Sequence, residues 1–309
     1  MKESSKVIAF DAGKWRHRVF LDSQLKDVDN KKGALRSLLE AQPEGTIVAI
    51  ESTGNYHRLA ADLAYQMGFT VYVLNARRTA AFKRADKMRG KSDNIDARFI
   101  ARYVCLFADS LHPYIPFPQR LGRLRWLSKR RIDVASRKHD LQMSLRSSGL
   151  QSFAELEEAF DKLLAEIDAQ MLEIAKEYPS YKRLLKIPGV GPVVAAGLLA
   201  VLEHYDFQKP DSFVAYCGLD PRPFESGTKV GKRKTSKFGD ACLRRFLFLG
   251  AMSGQKCNAY KIYHQEAIDR GLKPMTSLMR IARKIAKLAW QAVKLNMEFQ
   301  DEIFLKQLT

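Results

Sequence analysis

The chain has 309 residues, of which 46% are hydrophobic and 28% charged, and this balance excludes a wholly disordered protein. The formal net charge of +18 favours a polyanionic partner, with nucleic acid as the default. The apolar run at residues 193–202 is shorter than the roughly 18 residues that cross a bilayer, and the amino terminus has no apolar signal-peptide segment. We therefore expect a cytoplasmic protein with no membrane partner.

The cysteines and histidines are too scattered to predict a metal site of their own. The chain has four cysteines and six histidines, with no CxxC pair and no HExxH spacing. Any metal in this protein is therefore expected to have oxygen ligands, which indicates Mg²⁺, with Mn²⁺ as the alternative.

Residues 1–110 alternate strand and helix patterns and form the first predicted domain. The segments KVIAFDAG, RHRVFLD and QLKDVDN predict three strands, followed by a helix in GALRSLLEAQ. TIVAIEST then predicts a buried strand, NYHRLAADLAYQMG a helix, FTVYVLNA a strand, and residues 93–107 a last helix. The order β-β-β-α-β-α-β-α predicts a mixed sheet with helices on its faces.

Four carboxylates in this region are candidate metal ligands. Asp11 and Glu51 each end a buried strand, and ligands of α/β sheets bind at the carboxyl ends of strands. Asp93 and Asp96 lie one turn apart on a helix, in a strongly basic neighbourhood where their mutual repulsion calls for a cation. If that helix packs beside the strand ends, the four acids converge on one or two divalent ions.

The simpler interpretation of Asp93 and Asp96 is an ordinary helix start. Ser92 or Asp93 would then cap the helix, and Asp96 would complement its dipole. This interpretation leaves Asp11 and Glu51 unexplained, which is why the metal site is preferred.

Residues 111–180 predict a helical linker of coiled-coil character. A basic helix that includes Arg123 and Arg130 precedes an acidic helix with coiled-coil-like apolar spacing, and Ser147–Gly149 separates them. The pair predicts an antiparallel hairpin or an oligomerisation arm. Only the basic helix is suited to nucleic acid.

Residues 181–309 predict a mainly α-helical domain. IPGVGP lies between two apolar helical runs and indicates a helix-hairpin-helix turn, in which Gly189 and Gly191 would approach a phosphate backbone. Such glycine turns also serve only to pack two helices. An amphipathic helix near the carboxyl terminus closes the domain.

A basic, glycine-containing loop follows the hairpin. Its cations are suited to a nucleic-acid backbone, and they are Arg222, Lys229, Lys232, Arg233, Lys234 and Lys237. The loop also contains four hydroxyl residues, Ser226, Thr228, Thr235 and Ser236. From composition alone, each of these is more typical of a hydrogen-bonding residue than of a nucleophile.

Four motifs resemble one known family. FDAGKW, AIESTGNY, KSDNIDARFIARY and GLDPRPFESGTK are similar to signatures of bacterial insertion-sequence transposases of the family numbered one-hundred-and-ten, which includes site-specific DNA invertases. The resemblance covers nearly the whole chain. It implies a RuvC-like amino-terminal domain with the ribonuclease H fold, whose metal-binding and catalytic acids are Asp11, Glu51, Asp93 and Asp96.

The same resemblance implies the chemistry and the partners. It gives Ser226 the role of a nucleophile that forms a phosphoserine link to DNA. It also implies donor and target DNA, a structured bridge RNA that pairs with both, and a homo-oligomer, a dimer or a tetramer.

Two alternatives remain at this point. One is a metal-dependent junction nuclease of the RuvC type that uses water, with Ser226 idle. The other is a nucleic-acid-binding protein without catalytic activity.

Overall fold

The computed structural model describes residues 6–85, 93–222, 225–226, 229–230 and 234–300. The chain forms two compact units, Met1–Pro116 and Phe117–Thr309. The division into three regions made from the sequence stays a prediction. No helix in the described part of the chain is both long and apolar enough to cross a membrane.

The first unit contains a five-stranded mixed sheet. Its strands are β1 (Val7–Asp11), β2 (Arg16–Leu21), β3 (Gln24–Asp29), β4 (Ile47–Glu51) and β5 (Thr70–Leu74). The spatial order is β3-β2-β1-β4-β5, with β1–β2 and β2–β3 antiparallel and β1–β4 and β4–β5 parallel. The helices are α1 (Lys32–Glu40), α2 (Arg58–Gln66), α3 (Ala76–Ala85) and α4 (Asp93–Phe107), with a 3-10 turn at Ala108–Ser110. The predicted mixed α/β unit is confirmed, and α3 is an additional helix that the sequence analysis did not separate.

Helices cover both faces of this sheet. Strand side chains alternate between faces, so each strand supplies two sets of contacts. One face packs against α1 and α2 through Ile8, Phe10, Val48, Ile50, Leu35, Leu39, Ala60 and Ala64. The other face packs against α4 through Ala9, Ala49, Tyr72, Ile100, Ala101 and Val104. The central strands are therefore buried on both sides.

The second unit is mainly helical, as predicted. Its helices are α5 (Gln119–Leu145), α6 (Gln151–Ala175), α7 (Pro179–Leu185), α8 (Pro192–His204), α9 (Pro210–Tyr216), α10 (Ala241–Gly254), α11 (Asn258–Asp269) and α12 (Pro274–Lys294). Proline occupies the first helical position of α7, α8, α9 and α12, where its missing N–H costs no intrahelical hydrogen bond. The described residues between α9 and α10 include four two-residue strands: β6 (Pro221–Arg222), β7 (Glu225–Ser226), β8 (Lys229–Val230) and β9 (Lys234–Thr235).

Helices α5 and α6 form an antiparallel hairpin. The Arg131 guanidinium donates to the Asp168 carboxylate at 3.1 Å, and the Gln142 amide donates to Glu157 at 2.6 Å, so residues later in α5 meet residues earlier in α6. The apolar sides of both helices join the core of α7–α12. Ion pairs of Arg131 with Asp168 and of Lys138 with Asp161 therefore join the basic helix to the acidic helix.

The IPGVGP turn joins α7 to α8 and packs directly against α10. Gly189 has φ +82°, and a Cβ there would lie 2.3 Å from the Gly250 carbonyl oxygen and 2.6 Å from the Gly254 Cα. Gly191 is exposed, with φ −78°, and a Cβ on it would meet nothing within 4 Å. Gly189 is therefore required for helix packing, whereas Gly191 is not.

We expect Gly189→Ala to destabilise the second unit by about 2–4 kcal/mol, because it adds left-handed backbone strain to a clash with α10. Gly191→Ala is the matched control and is expected to change the free energy of unfolding by less than about 0.5 kcal/mol. Chemical denaturation of both variants measures the difference. Equal stability of the two variants would contradict the packing role.

Candidate functional site

The ends of β1 and β4 place Asp11 and Glu51 side by side. These strands are parallel, with Phe10 opposite Ile50, and the two acids are the next residue on each strand. Ala9 and Ala49 both contact α4. Because side chains alternate along a strand, Asp11 and Glu51 lie on this same face of the sheet. Two of the four predicted acids therefore lie at the ends of adjacent strands, on the side of the sheet that α4 covers.

Lys83 connects Glu51 to the third acid, Asp96. The Lys83 ammonium lies 2.7 Å from Asp96 Oδ1 and 3.5 Å from Glu51 Oε2. All three side chains are largely buried, with 23%, 24% and 13% of the Lys83, Asp96 and Glu51 side chains exposed. Two partly desolvated carboxylates thus share one cation, as the electrostatics of neighbouring like charges requires.

Thr79 fixes the orientation of the Glu51 carboxylate. Its buried hydroxyl is 3.0 Å from Glu51 Oε2, the same oxygen that faces Lys83, and 3.0 Å from the Ala76 carbonyl oxygen. Thr79 and Lys83 are four residues apart on α3 and therefore share one helix face. Helix α3, absent from the predicted order, thus supplies both groups that hold Glu51.

The donor set suits a hard divalent cation. Carboxylate oxygens are the preferred ligands of such ions. Glu51 and Asp96 already converge on one positive charge, the Lys83 ammonium, which lies where a metal ion would bind both carboxylates. Among the described side chains, no three His, Cys, Asp or Glu residues lie close enough together to hold a metal. Asp93 begins α4, but its side chain lies outside the described residues.

Ser226 lies on β7 of the second unit, in the segment of short paired strands β6–β9 that we call the serine hairpin. Strands β7 and β8 are antiparallel, with Ser226 opposite Lys229, and β6 and β9 form a second antiparallel pair, with Arg222 opposite Lys234. This backbone arrangement puts the serine and a basic residue at paired positions. The side chains of Ser226, Arg222, Lys229 and Lys234 lie outside the described part of the chain, as do Lys232 and Arg233 altogether.

Buried hydrogen bonds and an ion pair hold the base of this hairpin. The Ser236 amide donates to the Asp220 carbonyl oxygen at 2.9 Å, and the Ser236 hydroxyl contacts the Asp220 carboxylate. Asp240 caps α10 by accepting from the Leu243 amide at 3.0 Å, and it also pairs with the buried Arg125 guanidinium of α5. The chain that enters and leaves the serine hairpin is therefore anchored on both sides.

The remaining predicted nucleic-acid contacts have varied surroundings. The Arg123 guanidinium is 2.8 Å from the Gln170 side-chain oxygen, and Arg130 pairs with Asp133 at 2.8 Å within α5. Lys237 is exposed beside the serine hairpin. Gly189 faces α10, as described above, and Gly191 is open. Nucleic-acid contact by each of these residues stays a prediction.

A further basic face lies on α12. Arg280 and Lys284 both lie over the Tyr263 ring, at 4.6 and 5.0 Å from its centroid. Burial, with Arg280 and Lys287 nearby, lowers the pKa of Lys284, and burial also lowers that of Arg283. A cluster in which positive charge is disfavoured gains from a bound anion.

Comparison with known proteins identifies the family. A family model for DEDD transposases of the IS110 type, described as "Transposase", matches residues 11–171, more than half of the chain. The chain belongs to the IS110 family of transposases. A second model, described as "Transposase IS116/IS110/IS902 family", matches residues 181–265 of this IS110-family protein. The predicted family and the enzyme class, a DNA transposase or recombinase, are thereby confirmed.

Several curated proteins are similar to this IS110-family chain. The pilin gene-inverting protein of Moraxella lacunata is 24% identical over 267 residues, 82% of each chain. The transposase for insertion sequence element IS1111A of Coxiella burnetii is 32% identical over 137 residues, 42% of this chain and 37% of that protein. The y4pF/y4sB protein of Sinorhizobium fredii is 30% identical over 131 residues, so this chain spans 34% of that protein's length.

Family membership supports two coarser predictions. Transposases act on DNA, and a DEDD transposase domain indicates dependence on a divalent metal. Thr79 was not singled out from the sequence, and Lys83 and Arg125 were predicted only as members of basic segments. The four-residue spacing of Thr79 and Lys83 was the one available signal for α3.

We expect Lys83→Gln to lower the stability of the metal-free protein by about 1–2 kcal/mol, because Glu51 and Asp96 lose the cation between them. Mn²⁺ should then raise the Tm of this variant more than that of the unmodified protein, since no ammonium competes for the carboxylates. Lys26→Gln, which removes an exposed lysine on β3, is the control. Differential scanning fluorimetry with and without Mn²⁺ measures both effects, and an equal Mn²⁺ shift in all three proteins would contradict the competition.

Proposed function

We propose that this protein cleaves and rejoins DNA strands through a phosphoserine intermediate at Ser226, with a metal site formed by Asp11, Glu51, Asp93 and Asp96. The observation that carries the proposal is the Lys83 ammonium held between Glu51 and Asp96 in an IS110-family transposase. A site that already binds one cation between two carboxylates is suited to a divalent ion, and Mg²⁺ is the proposed ion, with Mn²⁺ as the substitute.

In this proposal the four carboxylates hold the divalent ion and balance its charge. Asp11 and Glu51 supply oxygens from adjacent strand ends, and Asp93 and Asp96 supply them from the first turn of α4. A bound divalent ion lowers the pKa of a coordinated hydroxyl and stabilises a leaving oxygen in phosphoryl transfer. Thr79 and Lys83 hold Glu51 ready when no ion is bound, which limits the reorganisation needed on binding.

Ser226 forms and then breaks the covalent bond to DNA. Its Oγ attacks the phosphorus, the bond between phosphorus and one strand oxygen breaks, and that oxygen takes up a proton while the serine proton leaves to a carboxylate or water. In the second step a strand hydroxyl attacks the phosphoserine, and the serine is released. Because one phosphodiester replaces another, rejoining needs no ATP.

Further parts of the proposal rest on the resemblance. The strand and helix order of the first unit supports a ribonuclease H fold of the RuvC type. The α5–α6 hairpin is a suitable surface for assembly into a dimer or tetramer, and the basic faces are suited to DNA and to a bridge RNA. The Moraxella lacunata relative, named as a pilin gene-inverting protein, supports recombination between two DNA sites.

We expect Ser226→Ala to abolish a covalent protein–DNA adduct while leaving DNA binding within about threefold of the unmodified protein, because the change removes one oxygen from a basic loop. Ser212→Ala is the matched control and should keep the adduct, since it removes the same hydroxyl from an exposed position on α9. Denaturing electrophoresis of labelled DNA bound to each variant measures the adduct.

The metal part of the proposal has its own expected result. EDTA and Asp11→Asn should each abolish adduct formation, and Mg²⁺ or Mn²⁺ should restore it only to the EDTA-treated protein. An adduct that survives Ser226→Ala would exclude this serine as the nucleophile. Metal-dependent cleavage without an adduct in the unmodified protein would favour the water-using nuclease.

A further inference from the structure

Two exposed aromatic residues lie on the loops that follow the acid-bearing strands. Trp15 follows Asp11 at the end of β1 and is 76% exposed, and Tyr56 follows Glu51 at the end of β4 and is 39% exposed. We call Trp15 and Tyr56 the aromatic rim. Because β1 and β4 are adjacent and parallel, both loops leave the sheet at the edge where Asp11 and Glu51 lie.

A single side chain ties the two loops together. The Asn30 amide nitrogen lies 3.3 Å from the Gly13 carbonyl oxygen, 3.4 Å from that of Lys14 and 3.2 Å from that of Tyr56. The Asn30 backbone N–H also donates to the Trp15 carbonyl oxygen at 2.8 Å. The backbone on both sides of the rim is therefore held to one residue, which reduces the entropy that a ligand would have to remove.

The chemistry of the rim is suited to a nucleobase. The Lys14 ammonium lies 4.6 Å from the centroid of the Trp15 ring, so a flat aromatic surface and a cation are adjacent. Asp29, which precedes Asn30 in the sequence, pairs with Arg16 at 3.0 Å and with Lys31 at 3.8 Å, so its negative charge is balanced. Aromatic rings with basic neighbours are the common means of binding unpaired bases, because the ring stacks on the base and the cation meets the phosphate.

We propose that Trp15 and Tyr56 stack on unpaired bases of the DNA strand next to the phosphate that the acids act on. The assignment of that strand rests on the proposed function, whereas the stacking surface itself does not. A protein partner would equally cover an exposed tryptophan, but the net charge of +18 and the adjacent Lys14 favour a polyanion. The rim would hold the strand open at the edge of the sheet, so its residues are positioning residues.

The test measures binding of the full chain to a single-stranded dT 20-mer in EDTA, where no strand cleavage occurs. Trp15→Ala should weaken binding about 5- to 150-fold, which is the effect of losing one stacked base. Trp15→Phe should retain most of the affinity, and the dependence of binding on salt should not change, because the removed group is uncharged. Tyr56→Ala should weaken binding in the same way.

Tyr65→Ala is the matched control, since Tyr65 is a 43% exposed aromatic residue on α2, away from both loops. Its affinity for the dT 20-mer should equal that of the unmodified protein. Lys14→Ala should instead lower the slope of log affinity against log salt by about one, which separates the charge from the ring.

Three results would overturn the proposal. The first is unchanged DNA affinity in both Trp15→Ala and Tyr56→Ala. The second is that the variants bind a single-stranded rU 20-mer more weakly but bind the dT 20-mer as tightly as the unmodified protein does, which would make the rim an RNA surface. The third is unchanged DNA affinity with a smaller oligomer in light scattering, which would make it a protein interface. If Ser226 proves not to form an adduct, the binding results for Trp15 and Tyr56 are unaffected, so each of the two proposals can be contradicted without the other.

Discussion

The parallel pairing of β1 with β4 is the constraint on which the candidate site depends. Phe10 lies opposite Ile50, so the carboxylates one residue further on emerge at the same height and on the same face. A shift of one residue in this register would turn Glu51 to the face covered by α1 and α2. The small side chains of Ala9 and Ala49 let α4 pack closely on these strands, which brings Asp96 to their ends.

This packing places two negative charges close together, and the Lys83 ammonium balances them. Glu51 and Asp96 are brought together in a partly desolvated position, where an unbalanced pair of negative charges is costly. The ammonium of Lys83 supplies the balancing charge on a long, flexible side chain, and Thr79 keeps one Glu51 oxygen in place. In the metal-free protein, Glu51 and Asp96 therefore share one balancing cation. In the second unit, the buried Arg125 of α5 balances the charge of Asp240, which caps α10 next to the serine hairpin.

Much of this arrangement follows from patterns in the sequence, and the exceptions have physical reasons. Buried strands that end in an acid are visible as apolar runs closed by Asp11 and Glu51, and the pair Asp93 and Asp96 is visible by its spacing. Helix α3 was missed because half of its sequence, ARRTAAFKRA, is polar or charged, and Phe82 as its one large apolar residue gives no apolar stripe. The pairing of Arg125 with Asp240 was also missed, because 115 residues separate them and no local pattern reports such a contact. Ser226 became a candidate only through the family resemblance, since a serine in a basic loop has no distinguishing local signal.

The most direct test of the acid site is a crystal structure of the protein with bound Mn²⁺, using anomalous scattering to locate the ion. We predict an anomalous peak coordinated by Asp11, Glu51 and Asp96 at the ends of β1 and β4, with the Lys83 ammonium displaced from between Glu51 and Asp96. Mn²⁺ bound elsewhere, or an unchanged Lys83 contact with no peak beside it at saturating Mn²⁺, would contradict the account.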